Sequence, residues 1–228
     1  MRSPLYSLHH FHKVLRHLLD GVEKTAKETD YTDAQQVQAL TGQFQMVSHL
    51  LAEHIHSEDD VFFPPLEAKI ANVIPNYHMD HRADETLLGE ISELLTRLQE
   101  SSQADSPAAL GEDIYRQMVA LNATSAHHMD KEEEIVVPLM VEHLSEHEQW
   151  ALIERTYELI PLEAIEQVTP MFMSLLTQGD REEELRTEMR AMKPEMFRAV
   201  VASAPRGMSP EEWQDLVKRI PELSNISG

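Results

Sequence analysis

His54-Ile-His-Ser-Glu58-Asp-Asp-Val61-Phe-Phe-Pro64 and, further along the chain, His128-Met-Asp-Lys-Glu132-Glu-Glu-Ile135-Val-Val-Pro138 are two copies of one pattern. Each gives a His, a Glu four residues later, two more acids, a β-branched residue, and a Pro six residues beyond the Glu. At about 3.6 residues per turn, a spacing of four stacks His and Glu on one helix face. The neighbours at three-four spacing are Phe44, Val47, Leu51 and Val61 in the first copy, and Met118, Leu121 and Ile135 in the second. That face therefore points inward. A buried carboxylate left without a cation costs several kcal/mol. The apolar stripes supply no Lys or Arg to answer the two Glu, so metal ions are the natural counter-charge.

Working outward, the apolar periodicity predicts four long helices and no strand. The first runs over about 5–27, with Leu8, Phe11/His12, Leu15, Leu18/Leu19 and Val22 on its inner stripe. The second covers about 33–69. The third opens near Pro75 and carries Tyr77, His81, Leu88, Ile91, Leu95 and Leu98. The fourth follows Ser106-Pro107 and carries Ile114, Met118, Leu121, Ser125, His128, Glu132, Ile135 and Leu139. Short polar links between them imply an all-α, up-down-up-down four-helix bundle over residues 1–148. Residues 149–228 are expected to form a helical extension packed on or beside it, cut into short pieces by Pro161, Pro170, Gly179, Pro194 and Pro205. Capping boxes are expected at Ser145/Glu148 and Ser209/Glu212. The Met residues Met171, Met173, Met189, Met192, Met196 and Met208 are expected to fill gaps in its core.

The first and third helices complete a ligand set. His12 lies one turn from Leu8 and Leu15, and His81 lies on the inner stripe of the third helix with Glu85 one turn on. A lone inward His is ordinarily a hydrogen-bonded core residue; the repeated His/Glu pair shifts the balance towards a metal site. Six inward ligands, His12, His54, Glu58, His81, His128 and Glu132, exceed what one tetrahedral zinc needs, and imidazole with carboxylate suits iron or manganese. Two ions bridged by carboxylates is the economical arrangement. Asp59, Asp60, Glu133 and Glu134 read as a solvated face, and His9, His10, His17, His56, His78 and His127 as flanking residues. Glu53/His56 reads as a chance half-motif on an outer face, and His143/His147 as a helix-end feature.

Composition narrows the partners. The 228 residues are 42% hydrophobic and 26% charged, with mean hydropathy −0.39, which suits a packed core. Nineteen Lys and Arg against 40 Asp and Glu give a net charge of −21, unfavourable for nucleic acid or anionic membranes. Cys is absent, which removes disulfides, zinc fingers, iron-sulfur clusters and thiol catalysis. No apolar run has membrane-spanning or signal-peptide length, so the expected location is the cytoplasm.

Over roughly residues 5–143 the sequence resembles the hemerythrin family, specifically its His-His-Glu cation-binding domains. The resemblance rests on His12 with Leu15-Arg16, the His54/Glu58 pair running to Pro64, His81, and the His128/Glu132 pair running to Pro138. It implies a non-haem, carboxylate-bridged pair of irons, with manganese or zinc as substitutes. His12, His54, His81 and His128 would be terminal ligands, and Glu58 and Glu132 bridges. Oxygen carriers of this family place two His four apart on the third helix, where this chain has Tyr77, His81 and Glu85. Glu85 in place of an imidazole would enrich the site in hard oxygen ligands and favour the ferric state. That departure counts against reversible oxygen carriage, and the expected function is binding iron and reacting with or sensing dioxygen, with a protein partner expected through 149–228. A peroxide- or oxygen-consuming enzyme, with Tyr77, Tyr115 or Glu85 as proton donor, and a metal-free helical interaction protein are the alternatives.

Overall fold

The computed structural model describes residues 3–100 and 106–226, and among these there is helix and no strand. After a 3-10 turn at Pro4–Ser7 come α1 (Leu8–Glu28) and α2 (Ala34–Ser57), the latter capped by the Asp33 carboxylate on the backbone N–H groups of Gln35 and Gln36. A π turn, Glu58–Phe62, leads into α3 (Phe63–Glu67). Asn72, at φ 64°, turns the chain towards α4 (Pro75–Glu100), a left-handed conformation that Asn tolerates. α5 (Pro107–Lys131) continues through a second π turn, Glu132–Val136, into α6 (Val137–His143). Then follow α7 (Glu146–Leu159), α8 (Leu162–Leu175), α9 (Gln178–Ala191), α10 (Pro194–Ser203) and α11 (Pro210–Arg219). None of the described helices is long and apolar enough to cross a membrane.

The chain folds into two compact units, Leu15–Val136 and the residues before and after it. Within Leu15–Val136, side-chain pairs fix the helix directions. Between α4 and α5 the bonded pairs run Tyr77 with Lys131, Asp84 with Thr124 and Ser125, and Glu90 with Gln117. One number falls as the other rises, so the helices are antiparallel. The same holds for α2 and α4, through Thr41 with Gln99 and Asp59 with His81, and for α1 and α5, through Arg16 with Asp130 and Asp20 with Asn122. The result is an up-down-up-down bundle, with additional helices elsewhere in the chain. Leu40, Phe44, Ile91, Ile114, Met118 and Leu121 are fully buried between its helices.

Both π turns begin at the Glu of the repeated pattern, and each ends two residues before the shared Pro. Pro64 has no N–H, and its ring would strike the carbonyl of residue 60 in a regular α-helix. The wider turn, closed by the Phe63 N–H on the Glu58 carbonyl five residues back, relieves that clash. It also swings the residues that follow. Ile135, expected on the inner stripe, is 46% exposed, and burial passes to Val136 and Val137; in the other copy Val61 stays buried beside Phe62 and Phe63.

In the second unit the helices close over their own core of Ile165, Met173, Leu185, Phe197, Val200 and Leu216, with Met192 and Met196 buried and Met189 and Met208 packed against it. Capping boxes form at Ser145/Glu148, Thr177/Asp180 and Ser209/Glu212. Pro170, expected to break the chain, instead lies inside α8. The Glu166 carbonyl that Pro170 cannot reach accepts the Arg206 guanidinium at 2.7 Å, so the helix continues.

Candidate metal centre

The inner ends of α2, α4 and α5 in Leu15–Val136 meet at four side chains. Glu58, His81, His128 and Glu132 each present a ligand atom within 4.8 Å of the others, and none is more than 3% exposed. The two imidazoles aim their Nε2 atoms at one another, 2.9 Å apart. His128 Nε2 lies 2.8 Å from Glu132 Oε1, and His81 Nε2 lies 3.2 Å from Glu58 Oε2. His54, 5% exposed, places its Nε2 3.5 Å from Glu58 Oε2 and 3.9 Å from Glu132 Oε2. Glu132 thus turns one oxygen to His128 and the other to His54.

The outward nitrogens of two rings are held by carboxylates. His81 Nδ1 lies 2.8 Å from Asp59, and His128 Nδ1 lies 3.4 Å from Asp80, which also takes the Lys131 ammonium. A carboxylate on Nδ1 fixes the proton there and leaves the Nε2 lone pair facing the cluster, the usual support of a metal-binding imidazole. Phe63 stacks on the His81 ring at 5.5 Å and 9°.

Burial by itself would lower the His128 pKa, but hydrogen bonds with Glu132 and Glu58 outweigh it and push it up to about 10. His81 is raised through the same opposition of burial and Glu58. Without a cation the cluster therefore answers its carboxylates with protons, and a metal ion must displace them. The donor set is imidazole nitrogen and carboxylate oxygen in a buried site, which fits iron, manganese or zinc.

Of the residues expected at the site, His54, Glu58, His81, His128 and Glu132 come together. His12 is fully buried, on the part of α1 that belongs to the other unit. Tyr77 is buried against the His128 ring at 5.9 Å, with its hydroxyl donating to the Lys131 carbonyl at 3.4 Å. Burial, with Glu132 and Asp80 nearby, raises its phenol to about 12.

Glu85 does not join them. It is exposed, and the acid that α4 buries is Asp84, 1% exposed and accepting the Thr124 and Ser125 hydroxyls at 2.7 Å each. Positions 77, 81, 84, 88, 91, 95 and 98 follow an unbroken four-three rhythm, which is the signal that would have chosen Asp84. Asp59 and Glu133 are likewise more than a solvated face: Asp59 holds His81, and Glu133 accepts Arg16 at 2.7 Å. His10 is no flanking residue of the cluster; it is buried and bonded to Glu184 at 2.8 Å within the other unit. Glu53 and His56 are exposed, as expected of an outer face, and His143 ends α6 with His147 exposed beyond it.

An up-down-up-down bundle with a buried His and Glu cluster at its centre is consistent with a metal site. Comparison with known proteins points the same way: residues 1–66 match the family model of the hemerythrin HHE cation binding domain. It is 23% identical to the zinc finger protein BRUTUS of Arabidopsis thaliana over 192 residues, 84% of this chain and 15% of that protein. A BRUTUS-like zinc finger protein of the same plant is 26% identical over 185 residues, 79% of this chain and 14% of its own length. These are distant relatives, and the chain spans about one seventh of their length. No solved structure matches it.

Proposed function

We propose that this domain binds a carboxylate-bridged pair of non-haem iron ions and reacts with or senses dioxygen there. The observation that carries the reading is the placement of Glu132, whose two oxygens face different histidines, His128 at 2.8 Å and His54 at 3.9 Å, as a bridging carboxylate must. His54, His81 and His128 would be terminal ligands and Glu58 the second bridge. Asp59 and Asp80 hold two of the rings in the ligating tautomer. Such a pair, when bound, supplies one-electron chemistry and an open position for a small diatomic ligand. Tyr77 and Phe63 wall the site and keep bulk water from the ligands. With Asp84 committed to Thr124 and Ser125, α4 contributes a single imidazole, which favours sensing over reversible carriage. The zinc fingers in the relatives' names have no counterpart in this sequence, which lacks Cys. A protein partner, if one receives the signal, would meet residues 149–228.

Anaerobic loading with iron(II) followed by elemental analysis tests the reading. About two irons per chain are expected, in keeping with bundle sites built from facing helices. His54→Ala and Glu132→Ala should each lose iron while keeping the parent's far-ultraviolet circular dichroism; His12→Ala, run alongside, tests the sequence-based expectation that its imidazole joins the set. A parent that takes up no iron would leave the inward stripe purely structural. Steady loss of added hydrogen peroxide with the loaded protein would turn the reading towards an enzyme.

A further inference from the structure

The ligands of the buried cluster are sealed from solvent, so an ion must reach them through groups that can hold it on the way. Two of the inner imidazoles lead outward through a carboxylate. On one path His128 Nδ1 meets Asp80, but Asp80 is salt-bridged by Lys131, whose ammonium repels an approaching cation. On the other path His81 Nδ1 meets Asp59, and the same Asp59 oxygen lies 2.9 Å from Nδ1 of His78. Asp59 and His78 are each about one-third exposed, and these two with His81 bring three ligand atoms within 4.8 Å of one another. The ring of Phe63 stands edge-on to His78 at 5.8 Å and stacks on His81, which holds both imidazoles in place.

We propose that Asp59, His78 and His81 form an outer site that captures a divalent cation and passes it to the buried cluster. This rests on the metal-binding reading given above. The chemistry of His81 makes the outer site a station and not a store. A neutral imidazole has one lone pair, so His81 can ligate through Nδ1 outside or through Nε2 inside, but not both. When Nε2 serves the inner site, the proton sits on Nδ1 and is donated to Asp59, which takes His81 out of the outer set. An ion held by Asp59 and His78 therefore loses a ligand as the inner site gains one. The chain's net charge of −21 draws cations to the surface in general, and the absence of a paired Lys or Arg on Asp59 among the described residues makes this the permissive side.

The test uses cobalt(II), whose visible absorption reports ligation without redox chemistry, mixed with the metal-free full chain in a stopped-flow instrument. His78→Ala, at a part-exposed position, should fill to the parent's stoichiometry but about tenfold more slowly, because the local capture of cations is lost. Asp59→Asn should load slowly and also bind about 10- to 100-fold more weakly, since it supports His81 as well. Lys131→Ala should load no more slowly than the parent. If His78→Ala loads at the parent's rate and to the same stoichiometry, the outer site is not on the path and the proposal falls while the metal reading stands. If the parent takes up no cobalt, both fall.

Discussion

Among the described residues, Glu184 and Glu188 are further buried carboxylates that call for an explanation, and they lie outside the His/Glu cluster. Glu184 is met by the Tyr157 hydroxyl at 3.0 Å and by His10. Glu188, one turn further along α9 and 7% exposed, has an oxygen with no hydrogen-bond partner among the described residues. Burial, and then the neighbouring Glu184, raise its pKa well above the ordinary carboxylate value, so the folded protein holds this proton more tightly than the unfolded chain does. The sign follows from proton counting. Below the unfolded-state pKa the group is neutral in both states and costs nothing. As pH rises beyond it, the unfolded chain releases a proton that the folded chain retains, and stability falls by about 1.4 kcal/mol per pH unit until the folded pKa is reached. Glu188→Gln, neutral at every pH, should remove this slope. Urea melts at pH 5 and pH 8 should show the variant gaining on the parent at the higher pH; an equal gap at both would mean Glu188 is ionised in the fold. In the sequence this residue looks like any acid on a charged helix.

At the scale of elements, helix starts are legible where a Ser-x-x-Glu capping box marks them. Ser145/Glu148 and Ser209/Glu212 mark two starts, while Thr177/Asp180 does not stand out in the sequence because Asp replaces the usual Glu or Gln at the third position. The π turns and the survival of α8 past Pro170 were not legible, since both depend on where a carbonyl finds its donor. Around Pro170 the backbone is crowded: a Cβ at Gly207 would lie 1.9 Å from the Pro170 carbonyl oxygen. Gly207→Ala should cost about 1–3 kcal/mol, the usual penalty of overpacking. The control is Gly42→Ala in α2, where the new methyl meets no atom within 4 Å. There, relief of chain entropy should leave stability unchanged or raised by up to about 1 kcal/mol. Chemical denaturation of the two variants beside the parent measures both.

Across the whole molecule, the proposed metal site should link metal binding to folding. Glu58 and Glu132 sit among three imidazoles, and without a cation that assembly depends on protons taken up by His81 and His128. Any ion that binds the folded state alone stabilises it by mass action, about 4 kcal/mol at a free concentration a thousand times its Kd. Iron(II) or cobalt(II) should therefore raise the melting temperature of the chelated protein, and Glu132→Ala should show no such rise. A parent melting curve that ignores the metal would break the link between site and fold. The remaining helices close on a separate set of buried residues, and the same loading experiment followed by amide hydrogen exchange would show whether their protection changes with occupancy.

The sequence alone determined the all-α bundle, its helix order and five of the residues that meet at its centre, because periodicity states which face is buried and a buried His/Glu pair needs a counter-charge. The helical rhythm also selects Asp84 over Glu85, but the sequence could not reveal Asp59 and Asp80 behind the imidazoles or distinguish His10 from a flanking residue. Those choices were left to tertiary structure. A polar side chain's role is set by the partner that another helix brings within 3 Å, and no local pattern encodes that encounter.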